Sequence, residues 1–423
     1  MWSQPNRRLR RFMKSCWSCS QDAGIVSRTI FKEESFTIGW SVPLRIIGPP
    51  APAEQARRGA GTRSKPVPPR SCGAIMPAAR RTGRNRMPPG VSIVIPAWKA
   101  SRTIVDCLAS ISAQTLPPVE VVVVDDDSPD DTASMAEALG ARVVRLPRNM
   151  GPARARNEGV AAASGDVILF VDSDVAVPEG LVEAIHARFE DPAVSAVQTL
   201  YTPSCPASGL VSRYQNFYYH HALARVREES TAIFATWCAA VRKDLFERLG
   251  GFNTDIPEPT VEDEEFGYAI ADAGGRIILD KSLQVIHMAS YDLRGFARRR
   301  MRMARAQAKS GLRQIRDRLL ARYINVHETG THHSRLVVAS ILMMPLSLAF
   351  AASAIPCGPS MLAPSSLLFA SAMLCHLDFF RKASRQFGPE ILPGFALMCA
   401  ADMLILAWGI MRGTASFVLG RRY

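Results

Sequence analysis

The chain reads as an α/β protein: a Rossmann-like domain with a mostly parallel sheet over residues 91–290, followed by C-terminal transmembrane helices. Three observations predict this. Short β-branched runs alternate with helical periodicity from Val91 onward, the order expected of strands joined by crossover helices. Two of those runs end in carboxylates, Asp125-Asp126-Asp127 and Asp172-Ser173-Asp174. Beyond them, Leu336 to Leu377 contains no Asp, Glu, Lys or Arg.

Val91-Ser92-Ile93-Val94-Ile95 is the first strand, stopped by Pro96. Ser101 is a plausible helix N-cap, and Ile104, Val105, Leu108 and Ile111 make one apolar face. Val119 to Val124 is the second strand and Ser128 to Leu139 a helix with Gly140 as its stop; Ala141 to Leu146 is the third strand and Pro152 to Ala163 an Ala-rich helix. The fourth strand, Val167 to Val171, is apolar throughout, so both its faces are buried. A third acidic block, Glu262-Asp263-Glu264-Glu265, opens a later helix, and Ile277-Ile278-Leu279 and Val285-Ile286 are further strand signals.

Charge divides the chain. Of 51 basic and 38 acidic residues, 17 and 4 lie in residues 1–90, so the whole net charge of +13 sits there and the remainder carries 34 of each. A neutral remainder argues against nucleic acid as a partner. Residues 1–90 are basic, rich in Pro and Arg, and without sustained periodicity. They read either as a disordered leader or as sequence upstream of a true start at Met76 or Met87. Cys16 and Cys19 form a C-x-x-C that lacks a second pair at zinc-site spacing, and the nine cysteines are scattered as reduced thiols would be.

Carboxylates at the carboxyl ends of parallel strands open into the crevice where α/β sheets bind ligands. Asp172 and Asp174, two residues apart at a strand end, project to the same side and suit a hard divalent cation, Mg or Mn. Five blocks resemble, in order, the signatures of family 2 inverting glycosyltransferases, which have the GT-A fold. They are Val91 to Pro96; Val124 to Thr132; Asn149-Met150-Gly151 with Ala155 to Gly159; Gly165 to Asp174; and Gly250-Gly251-Phe252 followed by Glu262-Asp263.

The resemblance implies a nucleotide-diphosphate sugar donor and a role for each matched position. Pro96 and Ala97 would meet the base, a carboxylate of Asp125 or Asp126 would accept its N–H, and Arg156 would lie near the diphosphate, with Arg154 as an alternative. Asp172 and Ser173 would contact the nucleotide sugar, Asp172 and Asp174 would hold the metal with His287 completing its shell, and Asp263 would be the general base. Glu264 and Glu265 are read as charges favoured by a helix N-terminus. Three positions depart from the family pattern: Lys99 stands where Asn is usual, Asp127 where Gly is usual, and Ala269 where a basic residue often follows. Residues 197–245 match no signature; Tyr201, Tyr214, Tyr218, Tyr219, His220, His221 and Trp237 there read as packing, with an acceptor surface as the other reading.

Residues 291–334 hold a dense cationic helical stretch, Arg294 to Arg322 with Asp317 as its one acid, suited to an interfacial helix on an anionic membrane. Residues 335–423 form a membrane region of two or three helices: a hairpin broken at Pro356-Cys357-Gly358-Pro359, and a third stretch, Ile391 to Met411, in which Asp402 needs a partner or a polar cavity. Arg335, Arg381, Lys382 and Arg385 place the catalytic domain on the cytoplasmic side. The function expected is sugar transfer to a lipid-linked or saccharide acceptor at a membrane, single-sugar rather than processive because no Gln-x-x-Arg-Trp block follows the acidic helix. The alternatives are a nucleotidyltransferase, which Asp263 after Gly-Gly-Phe disfavours, and a non-catalytic membrane-binding relative.

Overall fold

The structure, a computed structural model, describes residues 89–226, 232–255, 260–316 and 335–420 of the 423. The readings of residues 1–88, including the Cys16/Cys19 pair, and of Asp317, Arg318 and Arg322 lie outside the described residues.

The sheet alternates with helices in chain order: β1 (Val91–Ala97), α1 (Ile104–Ser112), β2 (Glu120–Asp125), α2 (Thr132–Ala138), β3 (Arg142–Arg145), α3 (Pro152–Ala162), β4 (Val167–Val171), β5 (Val175–Ala176), α4 (Leu181–Phe189) and β6 (Val194–Tyr201). Then follow α5 (Leu210–Ala224), β7 (Cys238–Arg242), α6 (Lys243–Arg248), α7 (Glu262–Asp272) and β8 (Arg276–His287). The described strands form one sheet in the order β3-β2-β1-β4-β7-β6-β8-β5. β1 pairs in parallel with β2 and β4, β2 with β3 and β6 with β8, whereas β7 and β5 run antiparallel to their neighbours. This is the mixed, mostly parallel sheet expected of a GT-A domain.

β4 lies at the centre with all five residues buried, as its unbroken apolar run requires. One face packs on α1 and α4 through Ile95, Ile104, Leu169, Leu181 and Ile185. The other packs on an aromatic group in which Phe170, Phe246, Phe252 and Phe266 lie 5.0–5.7 Å apart. Asn157 of α3 ties the Gly250-Gly251-Phe252 block to this face, its amide exchanging two 2.9 Å hydrogen bonds with the Phe252 backbone.

Two local readings are corrected. The first helix starts at Ile104 with Thr103 at its N-cap position, so Ser101 does not cap it; the Ser101 N–H is instead taken by Asp130 in the facing loop. Ile277–Leu279 and Val285–Ile286 belong to one continuous strand, β8, whose pairing with β6 shifts register midway.

Two of the residues that depart from the family pattern, Lys99 after β1 and Asp127 after β2, have a physical meaning in the backbone. Lys99 and Asp127 are the non-glycine residues with positive φ, 55° and 58°, among those described. These are left-handed positions, which Asn and Gly occupy at lower cost than Lys and Asp. Asp127→Gly should therefore raise the denaturation midpoint, by about 1 kcal/mol of stability. A lowered midpoint would mean that the Asp127 side chain holds the loop.

The chain then continues as α8 (Leu293–Arg316), α9 (Arg335–Cys357), α10 (Leu362–Leu374), α11 (Leu377–Phe387) and α12 (Leu392–Val418). The break between α9 and α10 falls at Gly358, whose φ of 93° Pro359 follows at the start of a 3-10 turn. Ser347 and Ser365 join the two arms by hydrogen bonds. The second arm differs from the expectation. α10 has 13 residues, too few to cross a bilayer, and bends by 58° into α11, which carries Arg381, Lys382 and Arg385. Among the described residues two helices are long and apolar enough to span, Leu336–Cys357 and Pro389–Val418, or three if the bent pair counts as one.

Candidate active site

The site is built on strand ends. Ala97 at the end of β1 lies opposite Asp125 at the end of β2, and the Asp126 N–H donates to the Ala97 carbonyl at 2.9 Å. The adjacent carboxylates of β2 differ in what they do. Asp126 accepts from the N–H groups of Met150 at 2.7 Å and Gly151 at 2.8 Å, both its oxygens being spent on the turn that starts α3. Asp125, also buried, takes the Ser128 N–H on Oδ2 at 3.4 Å, while Oδ1 has no partner among the described residues. Of the two, Asp125 is the one with an acceptor to spare. Asp125→Asn should weaken donor binding with little change in thermal stability. Asp126→Asn should lower stability by about 1–3 kcal/mol through the turn it holds. Titration calorimetry with nucleotide and thermal denaturation, run on both variants, check this pair of outcomes.

β4 delivers Asp172, Ser173 and Asp174 to the turn before β5, all half-buried. Antiparallel pairing of β5 with β8 sets Val175 opposite His287, which puts the imidazole Nε2 3.5 Å from Asp174 Oδ2. Burial would raise the Asp174 carboxyl, but His287 and Arg299 hold it below the usual carboxylate range. Asp172 moves the other way: burial and the Asp174 charge outweigh Arg156, and its carboxyl is raised.

Arg156 is the tie of the site. Almost fully buried, it donates from Nη2 to Asp172 at 2.8 Å and from Nη1 to Glu262 at 3.2 Å, leaving Nε without a partner among the described residues. A guanidinium fork thus links the carboxylate of β4 to the acidic block of α7. Burial opposes its charge, yet the two carboxylates keep its pKa above the ordinary arginine value.

Asp263 follows Glu262 at the start of α7. Its Oδ2 accepts the Thr236 N–H at 3.3 Å and its Oδ1 the Glu264 N–H at 2.9 Å. Burial and the neighbouring Glu262 and Glu264 carboxylates push the Asp263 carboxyl up to about 8, against the pull of Arg156. Glu264 is pushed up to about 7, chiefly by burial, and accepts from Gln307 of α8 at 2.9 Å, while Glu265 accepts from Ser310 at 3.1 Å. These two glutamates stand in the first turn of α7, as read from the sequence, and are in addition bound to the following helix.

One cavity gathers Arg156, Asp172, Glu262, Asp263, Glu264 and His287. Asp174 reaches it only through His287, and Pro96, Ala97, Asp125 and Asp126 lie at the neighbouring strand ends. Residues outside every signature complete the walls. Tyr201 is stacked between Trp237 and His287, with ring centroids at 4.7 and 4.8 Å. Gln215 and the Trp237 indole N–H line the cavity without partners among the described residues. Arg299 of α8 donates to the Tyr291 hydroxyl at 2.9 Å, and its positive charge acts on Asp172 and Asp174. The aromatics of residues 197–245 therefore divide: Tyr201, Tyr218, Tyr219 and Trp237 face the cavity, whereas Tyr214 is buried against Phe296, Phe379 and Phe395. The packing expected of them is observed, Tyr201, Tyr219 and Trp237 lying against the sheet core and Tyr214 and Tyr218 among the C-terminal helices, and α5 turns Tyr218 and Tyr219 toward the cavity as well. Arg299 had no signal that separated it from the other arginines of its run.

Among the described residues no three of His, Cys, Asp and Glu already surround a common point. The donor set is still apt for a hard cation, since Asp172 and Asp174 offer oxygen and His287 nitrogen, and diphosphate oxygens or water complete such shells.

Residues 92–250 match the family described as Glycosyl transferase family 2. The succinoglycan biosynthesis protein ExoO of Rhizobium meliloti is 40% identical over 116 residues, 26% of this chain and 33% of its own. The uncharacterized glycosyltransferase EpsJ of Bacillus subtilis is 28% identical over 217 residues, 47% of this chain and 61% of its own. The mannosyltransferase PcManGT from Pyrobaculum calidifontis, solved with GDP-Man and Mn2+, covers 76% of this chain and 86% of its own at 22% identity, with a TM-score of 0.49. The chain spans about a third to three fifths of the length of the first curated relatives it matches.

Proposed function

We propose that the protein, whose residues 92–250 match the family described as Glycosyl transferase family 2, moves a sugar from a nucleotide-diphosphate donor to a membrane-associated acceptor with inversion at the anomeric carbon. The observation that carries this reading is the sharing of one cavity by Asp172 and Asp263, with Arg156 bonded to Asp172 and to Glu262, the neighbour of Asp263. A direct displacement needs a group that takes the acceptor proton and a separate locus that favours the departing diphosphate.

Asp263, with its carboxyl near 8, is the base: ionised, it removes the hydroxyl proton as the oxygen attacks, and its raised pKa makes it a stronger proton acceptor than an ordinary aspartate. Arg156 keeps Asp172 oriented and holds the acidic block in register with it. Arg299 adds positive charge on the side where phosphate charge accumulates. Asp125 Oδ1 accepts the base N–H, and Gln215 and the Trp237 indole meet sugar hydroxyls, with Tyr201 and Trp237 as stacking faces. Asp172, Asp174 and His287 would hold a divalent cation, which when bound supplies electrostatic stabilisation of the leaving diphosphate. The exposed apolar sides of α9, α10 and α12 associate the protein with a membrane, with the catalytic domain on the cytoplasmic side.

The test is incubation of the detergent-purified protein with a panel of labelled sugar nucleotides, Mg or Mn, and a membrane-lipid extract. Release of nucleoside diphosphate together with a lipid- or saccharide-linked product of inverted configuration by NMR is expected, with loss of turnover on chelation and recovery on adding metal. Release of sugar 1-phosphate in place of nucleoside diphosphate would assign the site to nucleotidyl transfer.

A further inference from the structure

α12 is long and apolar enough to cross a bilayer, but its packing keeps it beside the catalytic domain. A Cβ at Gly394 would stand 2.8 Å from Leu210 Cδ1 of α5, and Phe395 meets the Tyr214 ring edge-on at 5.5 Å. Further along, Asp402 is bonded to Arg300, a Cβ at Gly409 would stand 2.7 Å from Ala304 Cβ, and one at Gly413 would stand 2.5 Å from the Arg305 carbonyl oxygen. The contacts advance together along both helices, so α12 runs beside α8 in the same direction. From Gly394 to Gly413 it follows the protein for roughly 20 residues, about 30 Å of helix. α8 is itself fixed to α7 through Gln307 and Ser310, and it exposes Arg298, Arg299 and Arg302. A bilayer crossed by α12 would have to take in α8 with those arginines. Lipid can instead reach one face of α12, where Leu397, Trp408, Met411 and Val418 recur at helical spacing and are exposed.

The α9–α10 hairpin is packed at its base and bare at its tip. Ser340 Oγ lies 2.9 Å from His376 Nε2, and Val337, Ile341, Met344 and Ala372 are buried with the inner face of α12. Beyond Met344, α9 continues only to Cys357, about 20 Å, against about 30 Å of hydrocarbon in a bilayer. At the tip Ile355 is 90% exposed and residues 355–362 carry no charge, so the turn is made for lipid rather than for water on a far side. On the return α10 ends at Leu374, and the chain bends by 58° into α11, which exposes Arg381, Lys382 and Arg385 as a segment leaving hydrocarbon for headgroups does. Leu346 and Leu348 are exposed on opposite sides of α9, whereas a second copy of the chain would cover one side.

We infer that the C-terminal helices seat in a bilayer from one side only. The hairpin dips into hydrocarbon and returns, α12 lies along the interface, and the end of α12 stays on the side of the catalytic domain. This rests on the membrane association proposed above and adds its mode.

The experiment is labelling of the full-length protein in sealed, inside-out membrane vesicles with a sulfonated maleimide that does not cross bilayers, each labelled cysteine being located by peptide mass spectrometry. Glu179→Cys, on the exposed surface of the catalytic domain, and Tyr423→Cys, beyond α12, should react before the vesicles are opened and to within about twofold of each other. Cys357 of the wild type, exposed at the hairpin tip, should react about tenfold less than either, both before and after a pore-forming toxin opens the vesicles, and should react fully once the protein is denatured. Reaction of Tyr423→Cys on the side opposite to Glu179→Cys overturns the inference for α12. Reaction of Cys357 on that opposite side overturns it for the hairpin, and reaction of Cys357 together with Glu179→Cys gives the tip to water or to a protein partner and also overturns it. If Glu179→Cys and Tyr423→Cys both react only after opening, the cytoplasmic placement fails while one-sided insertion stands. Release of the protein by a carbonate wash overturns the membrane association and the inference with it.

Discussion

Asp263→Asn should lower kcat by about a thousandfold, the middle of the range that general base catalysis contributes, while leaving the donor dissociation constant within about threefold, a change under 1 kcal/mol. The asparagine keeps the shape and its one carbonyl oxygen can still accept from Thr236 or Glu264, but it cannot take a proton. The pH profile gives an independent reading. In the wild type the base must be ionised, so kcat/KM should climb with pH and level off above about 8, where burial and the flanking glutamates place that carboxyl. The variant should lose this limb. Stability should show the opposite sign. A carboxyl raised in the folded state binds its proton more tightly there than when unfolded, so its contribution is fully present below the unfolded value of 3.8 and is lost as pH rises through about 8. Above pH 8 the asparagine variant should therefore unfold at a higher temperature than the wild type. A kcat within tenfold of wild type would remove Asp263 from the base role, and loss of donor binding would make it a binding residue.

Breaking the Arg300–Asp402 pair should be the largest single loss of stability outside the catalytic domain. Arg300 Nε and Nη2 each donate to the Asp402 carboxylate at 2.6 Å, the Tyr214 hydroxyl donates to it at 3.3 Å, and both charged side chains are under 5% exposed. Asp402→Ala leaves a buried guanidinium without its counter-charge, which costs about 3–5 kcal/mol. The paired replacement Arg300→Met with Asp402→Leu should recover most of that, because two apolar groups of similar size demand no desolvation of charge. Denaturation midpoints of the two single variants and the double variant form the cycle that measures it. Loss of turnover should accompany Asp402→Ala, since α8 also carries Arg299 into the cavity and bonds Glu264 and Glu265 of the acidic helix α7. An unchanged midpoint in Asp402→Ala would mean that α12 does not seat on α8 through this pair.

The need for that partner was legible beforehand, because a carboxylate in an apolar stretch cannot be left alone. Its identity was not. Arg300 is one arginine among many in a run whose composition says only that it is cationic, and the contact joins residues about a hundred positions apart. The same limit explains Arg299, which reaches the cavity while Arg298 beside it faces α12. Helical rotation of 100° per residue assigns neighbouring arginines to different surroundings, and only the packing of α8 decides which receives which.

For the sheet, by contrast, local chemistry was sufficient. Strand β4 could be read to the residue, since an unbroken apolar run between turn residues has no other stable place than a doubly covered strand. The carboxylates at its end followed from the same periodicity. The acidic pair on β2 was visible too, although which member keeps a spare oxygen depended on the Met150–Gly151 turn that folds back over it. By itself, then, the sequence determined the α/β core, the strand ends that carry Asp125, Asp172 and Asp174, and the apolar character of the C-terminal helices, because those depend on patterns repeated within a few residues. Tertiary structure alone decided that Arg156 spans Asp172 and Glu262, and that α8 serves both the acidic helix α7 and α12. Each of those rests on a distant chain segment that supplies the charge or hydrogen-bonding group a buried side chain requires.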